Sequence, residues 1–182
     1  MKKRMMFKIP MMIVIGTILV IGASCSSTSP TTGNSGIVPT NTTGLIVSAV
    51  TSTAGGGFAP RNVVAIWVEN SSGTFVKSLT VYASTRKYDL TKWSTASTGN
   101  TTDATTGATQ SSFGTIYGTW NGTDTKGAVV ADGTYKVCME LSDKDDTGNF
   151  SSFTFTKGTA TSTQTPANTS SFSSVTIKWM PL

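Results

Sequence analysis

Any chemistry in this chain has to be done without imidazole. Its 182 residues include no histidine and two cysteines, Cys25 and Cys138. That excludes Ser-His-Asp and Cys-His nucleophilic sets and the usual catalytic zinc ligands. Hydroxyls, carboxylates and indoles remain. Asp103-Ala104-Thr105-Thr106-Gly107-Ala108-Thr109 is a run of hydroxyl and small residues behind one acid. Asp143, Asp145 and Asp146 sit in SDKDDTGN, with the Asp-x-Asp-x-Thr-Gly order of a calcium loop. The twelfth position from Asp143 is Thr154, not the bidentate glutamate, so a solvated hairpin turn is the preferred reading. No acidic pair has a spacing that argues for hydrolysis. Cys138 reads as a lone thiol with no histidine to activate it. Trp67, Trp93, Trp120 and Trp179 read as core or core-edge, with a sugar platform as the alternative.

These groups must be placed by the rest of the chain, beginning with its first residues. Lys2, Lys3, Arg4 and Lys8 precede an apolar stretch from Met11 to Ile21, and Gly22, Ala23 and Ser24 lead to Cys25. The apolar run is too short for a spanning helix and ends in small residues, as in a secretory signal. Small residues directly before a cysteine resemble a bacterial lipoprotein cleavage box, which implies a signal over 1–24 and a lipid on Cys25. The formal charge of +5, from 14 Lys and Arg against nine Asp and Glu, then changes meaning. Four cations leave with the signal and no acid does, so the mature chain stands at +1. An argument for nucleic acid from charge fails.

Residues 25–43 are rich in Ser, Thr, Gly and Pro and read as a flexible tether. Ser and Thr make up roughly 30% of the whole chain, far above ordinary usage. From 44 to 182 seven apolar runs predict strands: 45–50, 63–68, 75–82, 113–120, 134–141, 150–156 and 175–180. Tyr135, Val137, Met139 and Leu141 alternate with Lys136, Cys138 and Glu140, and Val175, Ile177 and Trp179 with Thr176 and Lys178. That period predicts an antiparallel sheet with one dry and one wet face. About seven short strands with Gly-rich turns predict an all-β, immunoglobulin-like antiparallel sandwich. Arg86–Trp93 predicts one short helical turn, and 94–112 a long polar loop of the kind that is usually functional or disordered.

The loop WNGTDTKGAVVADGTY, residues 120–135, carries Asn121-Gly122 and Asp132-Gly133 turns between Trp120 and Tyr135. It resembles the Ig-like domain of the flagellar hook-capping family, a signature of fold more than of function. A wider resemblance covers most of 62–156. NVVAIWVEN, GTFVKSL, Leu90-x-x-Trp93, DATTGAT, the Trp-Asn-Gly loop and TYKVCMEL are similar, in this order, to domain-of-unknown-function family 2271. That resemblance implies an exported Ig-like domain, often associated with flavin transferases, and no established enzyme activity. DATTGAT itself resembles the target of those transferases, which attach FMN through a phosphoester. It implies Thr109 as the attachment point and Asp103, Thr106, Gly107 and Ala108 as recognition residues. A hydroxyl accepts the phosphoryl group, small residues let the transferase approach the backbone, and an acid helps to order its metal. The alternative is a plain Thr-rich loop.

The sequence thus predicts a cell-envelope lipoprotein, anchored to the membrane through Cys25 on the periplasmic or outer-membrane face, with a non-catalytic Ig-like domain. Flavinylated at Thr109, it would carry electrons with covalent FMN, a flavin transferase and a membrane redox protein as partners. The second reading is a structural or adhesive surface module binding protein or glycan.

Overall fold

The computed structural model describes residues 38–99 and 106–182. Cys25, the signal segment and Asp103 lie outside them, and of Thr106 only the backbone is described. The described strands are, in chain order, β1 (Gly44–Thr51), β2 (Val63–Asn70), β3 (Phe75–Tyr82), β4 (Thr106–Gly107), β5 (Thr115–Trp120), β6 (Gly133–Ser142), β7 (Asn149–Lys157), β8 (Ser162–Gln164) and β9 (Phe172–Met180). All seven predicted strands are present, joined by the very short β4 and β8. They form two sheets, ordered β5-β1-β9-β8 and β4-β3-β2-β6-β7. Every described pairing of named strands is antiparallel except β3 with β4.

The order has an immunoglobulin sense. β3-β2-β6-β7 corresponds to C′-C-F-G, and β1 beside β5 to B beside E. β9 takes the place beside β1 that an immunoglobulin domain gives to its first strand. The tyrosine corner is also there. Tyr135, near the start of β6, donates its hydroxyl proton to the Ala131 carbonyl at 2.6 Å.

Between the sheets the period-2 pattern works as predicted. Leu45, Val47 and Ala49 of β1 and Val175, Ile177 and Trp179 of the neighbouring β9 face Val64, Ile66 and Val68 of β2 and Val137, Met139 and Leu141 of β6 in one buried cluster. Trp120, Tyr135, Phe155 and Trp179 form a connected group of rings, with centroids 5.3–6.4 Å apart. The Trp120 loop is tied to this group from within, its indole N–H donating to the Thr123 carbonyl at 2.7 Å.

The wet face predicted for β6 is a correction. Cys138 and Glu140 are both fully buried. A second apolar cluster, including Val63, Ala65, Trp67, Val81, Leu90, Trp93 and Cys138, covers that side of the sheet. Its lid is the predicted helical segment, which forms a 3-10 turn at Lys87–Asp89 and then α1 (Thr91–Ala96). The helix has no side-chain cap of its own. Glu140 supplies one from the sheet, accepting the backbone N–H of Lys92 at 3.1 Å and of Trp93 at 2.9 Å. A carboxylate there satisfies donors that the first turn leaves open. The Trp93 indole N–H donates to the Ser78 hydroxyl at 2.9 Å. All four tryptophans are at most 3% exposed, which settles them as core and removes them as a sugar platform.

Candidate functional site

Thr109 stands where the chain leaves the edge of one sheet to cross to the other. Just before it, β4 runs parallel to the end of β3, with Thr106 opposite Val81 and Gly107 opposite Tyr82. Gly107 lies flat on the Tyr82 ring, and a Cβ there would run into it. The glycine of the motif is thus required by local packing. Just after Thr109, Gln110 exchanges both backbone hydrogen bonds with Asn62 at 3.0 Å. Thr109 is pinned from both sides.

Its hydroxyl lies against Ser84 and Thr85. Thr109 Oγ1 donates to the Thr85 carbonyl at 3.2 Å and accepts the Thr85 N–H at 3.2 Å, with Thr85 Oγ1 at 3.0 Å. The Thr109 N–H donates to Ser84 Oγ at 3.2 Å. Thr109 itself is half-buried, Ala108 exposed, and Ser84 and Thr85 exposed. Three of the predicted recognition positions, Thr106, Gly107 and Ala108, are therefore consecutive backbone leading into Thr109.

Two clefts flank this point and share Arg86 as a wall. The first, about 340 Å³, is lined by Phe58, Arg61, Arg86, Thr109 and Gln110 among others. The second, about 610 Å³, runs past Ser84, Arg86, Lys87, Tyr88, Gly107 and Ala108. Their linings hold three cations and no acid. A third cleft, between α1 and β7, holds one of each, Glu69 and Lys92. The two clefts beside Thr109 therefore differ in charge from this third one. In the first cleft Gln110 is buried and its Oε1 has no hydrogen-bond partner among the described residues.

Arg86 is fixed. It adopts a left-handed backbone, φ 58°, rare for a residue with a side chain. Its guanidinium lies 4.3 Å from the Phe58 ring centre, 3.5 Å from Asp89 Oδ2, and donates to the Lys144 carbonyl at 3.4 Å. Burial raises the Asp89 carboxyl above the usual carboxylate range; Arg86 opposes this, and Asp145 and Asp146 add to it.

The acidic loop has a different task from calcium binding. It is the β6–β7 hairpin turn that the sequence predicts, but Asp143 is buried rather than solvated. Its carboxylate accepts from Thr53 Oγ1 at 2.5 Å and from the N–H groups of Ala54 and Gly56 at 3.1 and 2.8 Å. Its carbonyl accepts the Phe58 N–H at 2.9 Å. Asp143 thus clamps the loop that brings Phe58 under Arg86. Burial pushes the Cys138 thiol well above its ordinary value, so this cysteine is a core residue and no nucleophile.

Phe58, Arg61, Arg86 and Tyr88 were not legible as site residues. They lie 21 to 51 positions from Thr109 in the chain, and the parallel β3–β4 pairing and the Asn62–Gln110 bridge bring their segments to it. No curated protein and no solved structure matches the chain. A family match runs over residues 51–173, from the end of β1 to the start of β9, and includes every residue of the Thr109 surroundings. The chain belongs to domain-of-unknown-function family 2271, described as a predicted periplasmic protein.

Proposed function

We propose that this protein is a lipid-anchored carrier of covalent FMN, working in electron transfer outside the cytoplasm without turnover of its own. The observation that supports this is the position of Thr109: a half-buried residue whose hydroxyl lies at the junction of two clefts whose linings hold three cations and no acid. A flavin nucleotide needs a phosphoryl acceptor and positive charge beside it, and both are at this junction. Bound FMN supplies the redox chemistry that the side chains lack.

Attachment requires an activated flavin donor and a dedicated transferase. The bond from Thr109 Oγ1 to the flavin phosphorus forms, the phosphoanhydride bond of a dinucleotide donor breaks, and the nucleoside monophosphate leaves with the electron pair. The hydroxyl proton passes to base or solvent. Asp103, Thr106, Gly107 and Ala108 are what the transferase reads. Cys25 carries the lipid that holds the carrier beside a membrane redox partner.

Co-expression of the full chain with a flavin transferase, followed by intact mass, tests the reading. One FMN less water is expected, and Thr109→Ala should abolish the gain. An unmodified wild-type chain overturns the proposal, and a gain that survives Thr109→Ala moves the attachment elsewhere. Cys25→Ala should release the chain from the membrane fraction.

A further inference from the structure

Resting on the reading of Thr109 as the FMN carrier, we infer that the two clefts are a built seat for the flavin: Arg61 and Arg86 hold the phosphodiester, and the ring system lies on Tyr88. Thr109 lines the cleft that contains Arg61 and Arg86, so a phosphoryl group on its Oγ1 sits in the cationic compartment. A guanidinium is suited to that group, since its planar fork donates to phosphate oxygens in pairs. The ring does not belong in the same compartment. The face of Phe58 is already taken by the Arg86 guanidinium.

The second cleft has the larger volume and an unused aromatic surface. Tyr88 is 75% exposed, the most exposed large aromatic among the described residues. Its backbone belongs to the 3-10 turn at Lys87–Asp89, held between the fixed Arg86 and the buried Leu90. An aromatic ring presented to solvent on a fixed turn is suited to stacking a planar heterocycle. Gly107 and Ala108, which line the same cleft, keep its wall low beside Tyr88. The left-handed conformation of Arg86 places it as the wall shared by the two compartments, an example of backbone strain retained where a site needs it.

The test uses full-length chain loaded by a co-expressed flavin transferase, as wild type, Tyr88→Ala and Arg61→Ala. Both side chains are exposed and hold no part of the core, and intact mass reports loading in each. In the wild type, stacking on Tyr88 quenches the flavin, so Tyr88→Ala should fluoresce several-fold more brightly per bound flavin, with a faster anisotropy decay. Arg61→Ala should move the phosphorus NMR resonance of the phosphodiester and leave the quenching in place. A loaded wild type as bright as free FMN, or a Tyr88→Ala protein with unchanged brightness, overturns the seat and leaves the carrier reading standing. A wild type that takes no flavin overturns both.

Discussion

The five-stranded sheet has two covered faces, and they are built on different principles. The inner face meets the other sheet chiefly through apolar side chains, from Val64 and Ile66 to Met139 and Leu141, with one hydrogen bond from Thr80 Oγ1 to the Tyr117 carbonyl at 2.7 Å. The outer face is roofed by six residues of helix, and between Trp93, Leu90 and Cys138 it buries a carboxylate, Glu140. The inner contact is extensive and unspecific in its chemistry. The outer one is small and depends on a few hydrogen bonds with fixed direction. The lesson is that the helical segment is located by polar pins and only sealed by apolar contact. Since the Lys87–Asp89 turn and Arg86 lead directly into α1, the same pins position the wall beside Thr109.

The largest expected effect comes from breaking the inner face. Trp179 is 1% exposed, packs against Trp120 and Phe155, and donates its indole N–H to the Gly158 carbonyl at 2.8 Å. Trp179→Ala should cost about 3–5 kcal/mol and lower the whole unfolding transition in urea. A loss restricted to one segment, with the global midpoint kept, would contradict the assignment of this ring to the common core.

The outer face should fail locally. Glu140→Ala leaves the Lys92 and Trp93 N–H groups without their acceptor, an effect of about 1–3 kcal/mol. Trypsin should then cut after Arg86, Lys87 and Lys92 well before the sandwich unfolds, because local opening exposes only that segment. If those bonds stay as protected as in the wild type, Glu140 is not the pin. Asp143→Ala is expected to act in the same range at the opposite side of Arg86, freeing the loop at 53–58. Loaded with flavin, this variant should show disturbed fluorescence with the inner core intact, which ties the loop clamp to the Thr109 surroundings.

The same contrast explains what could be read from the sequence. Period-2 alternation in β6 and β9 reports one face directly, so the strands, the sandwich and the inner core were legible. On the other face the pattern Lys136, Cys138, Glu140 looks polar whether it is open to water or pinned to a helix. Only the partner, Thr91–Ala96, decides, and it lies 44–49 positions away from Glu140. The DATTGAT run could be singled out because its residues are adjacent in the chain. Thr109's hydrogen-bond partners, Ser84 and Thr85, are 25 and 24 residues distant, and no periodic signal connects a two-residue strand to its pair.

The smallest effect is a pH dependence that separates the two faces, since only the outer one buries a carboxylate against a helix. Burial pushes the Glu140 carboxyl above its ordinary value of 4.5, while hydrogen bonds from the Trp93 and Lys92 N–H groups and the Thr91 hydroxyl, and the charge of Lys92, work against the shift. Between the raised value and 4.5 the folded chain holds more protons than the unfolded one. Stability contributed at this position therefore increases as pH falls through that window. Glu140→Gln keeps an acceptor oxygen and removes the titration. Asp89 is raised for the same leading reason and remains in both proteins, so it cancels in the comparison. Urea unfolding of both at neutral pH and near pH 5 should show the wild type gaining on Glu140→Gln on acidification, by on the order of 1 kcal/mol. If the wild type instead loses ground, the hydrogen bonds outweigh burial, and the carboxylate is a net favourable cap whose charge the helix needs.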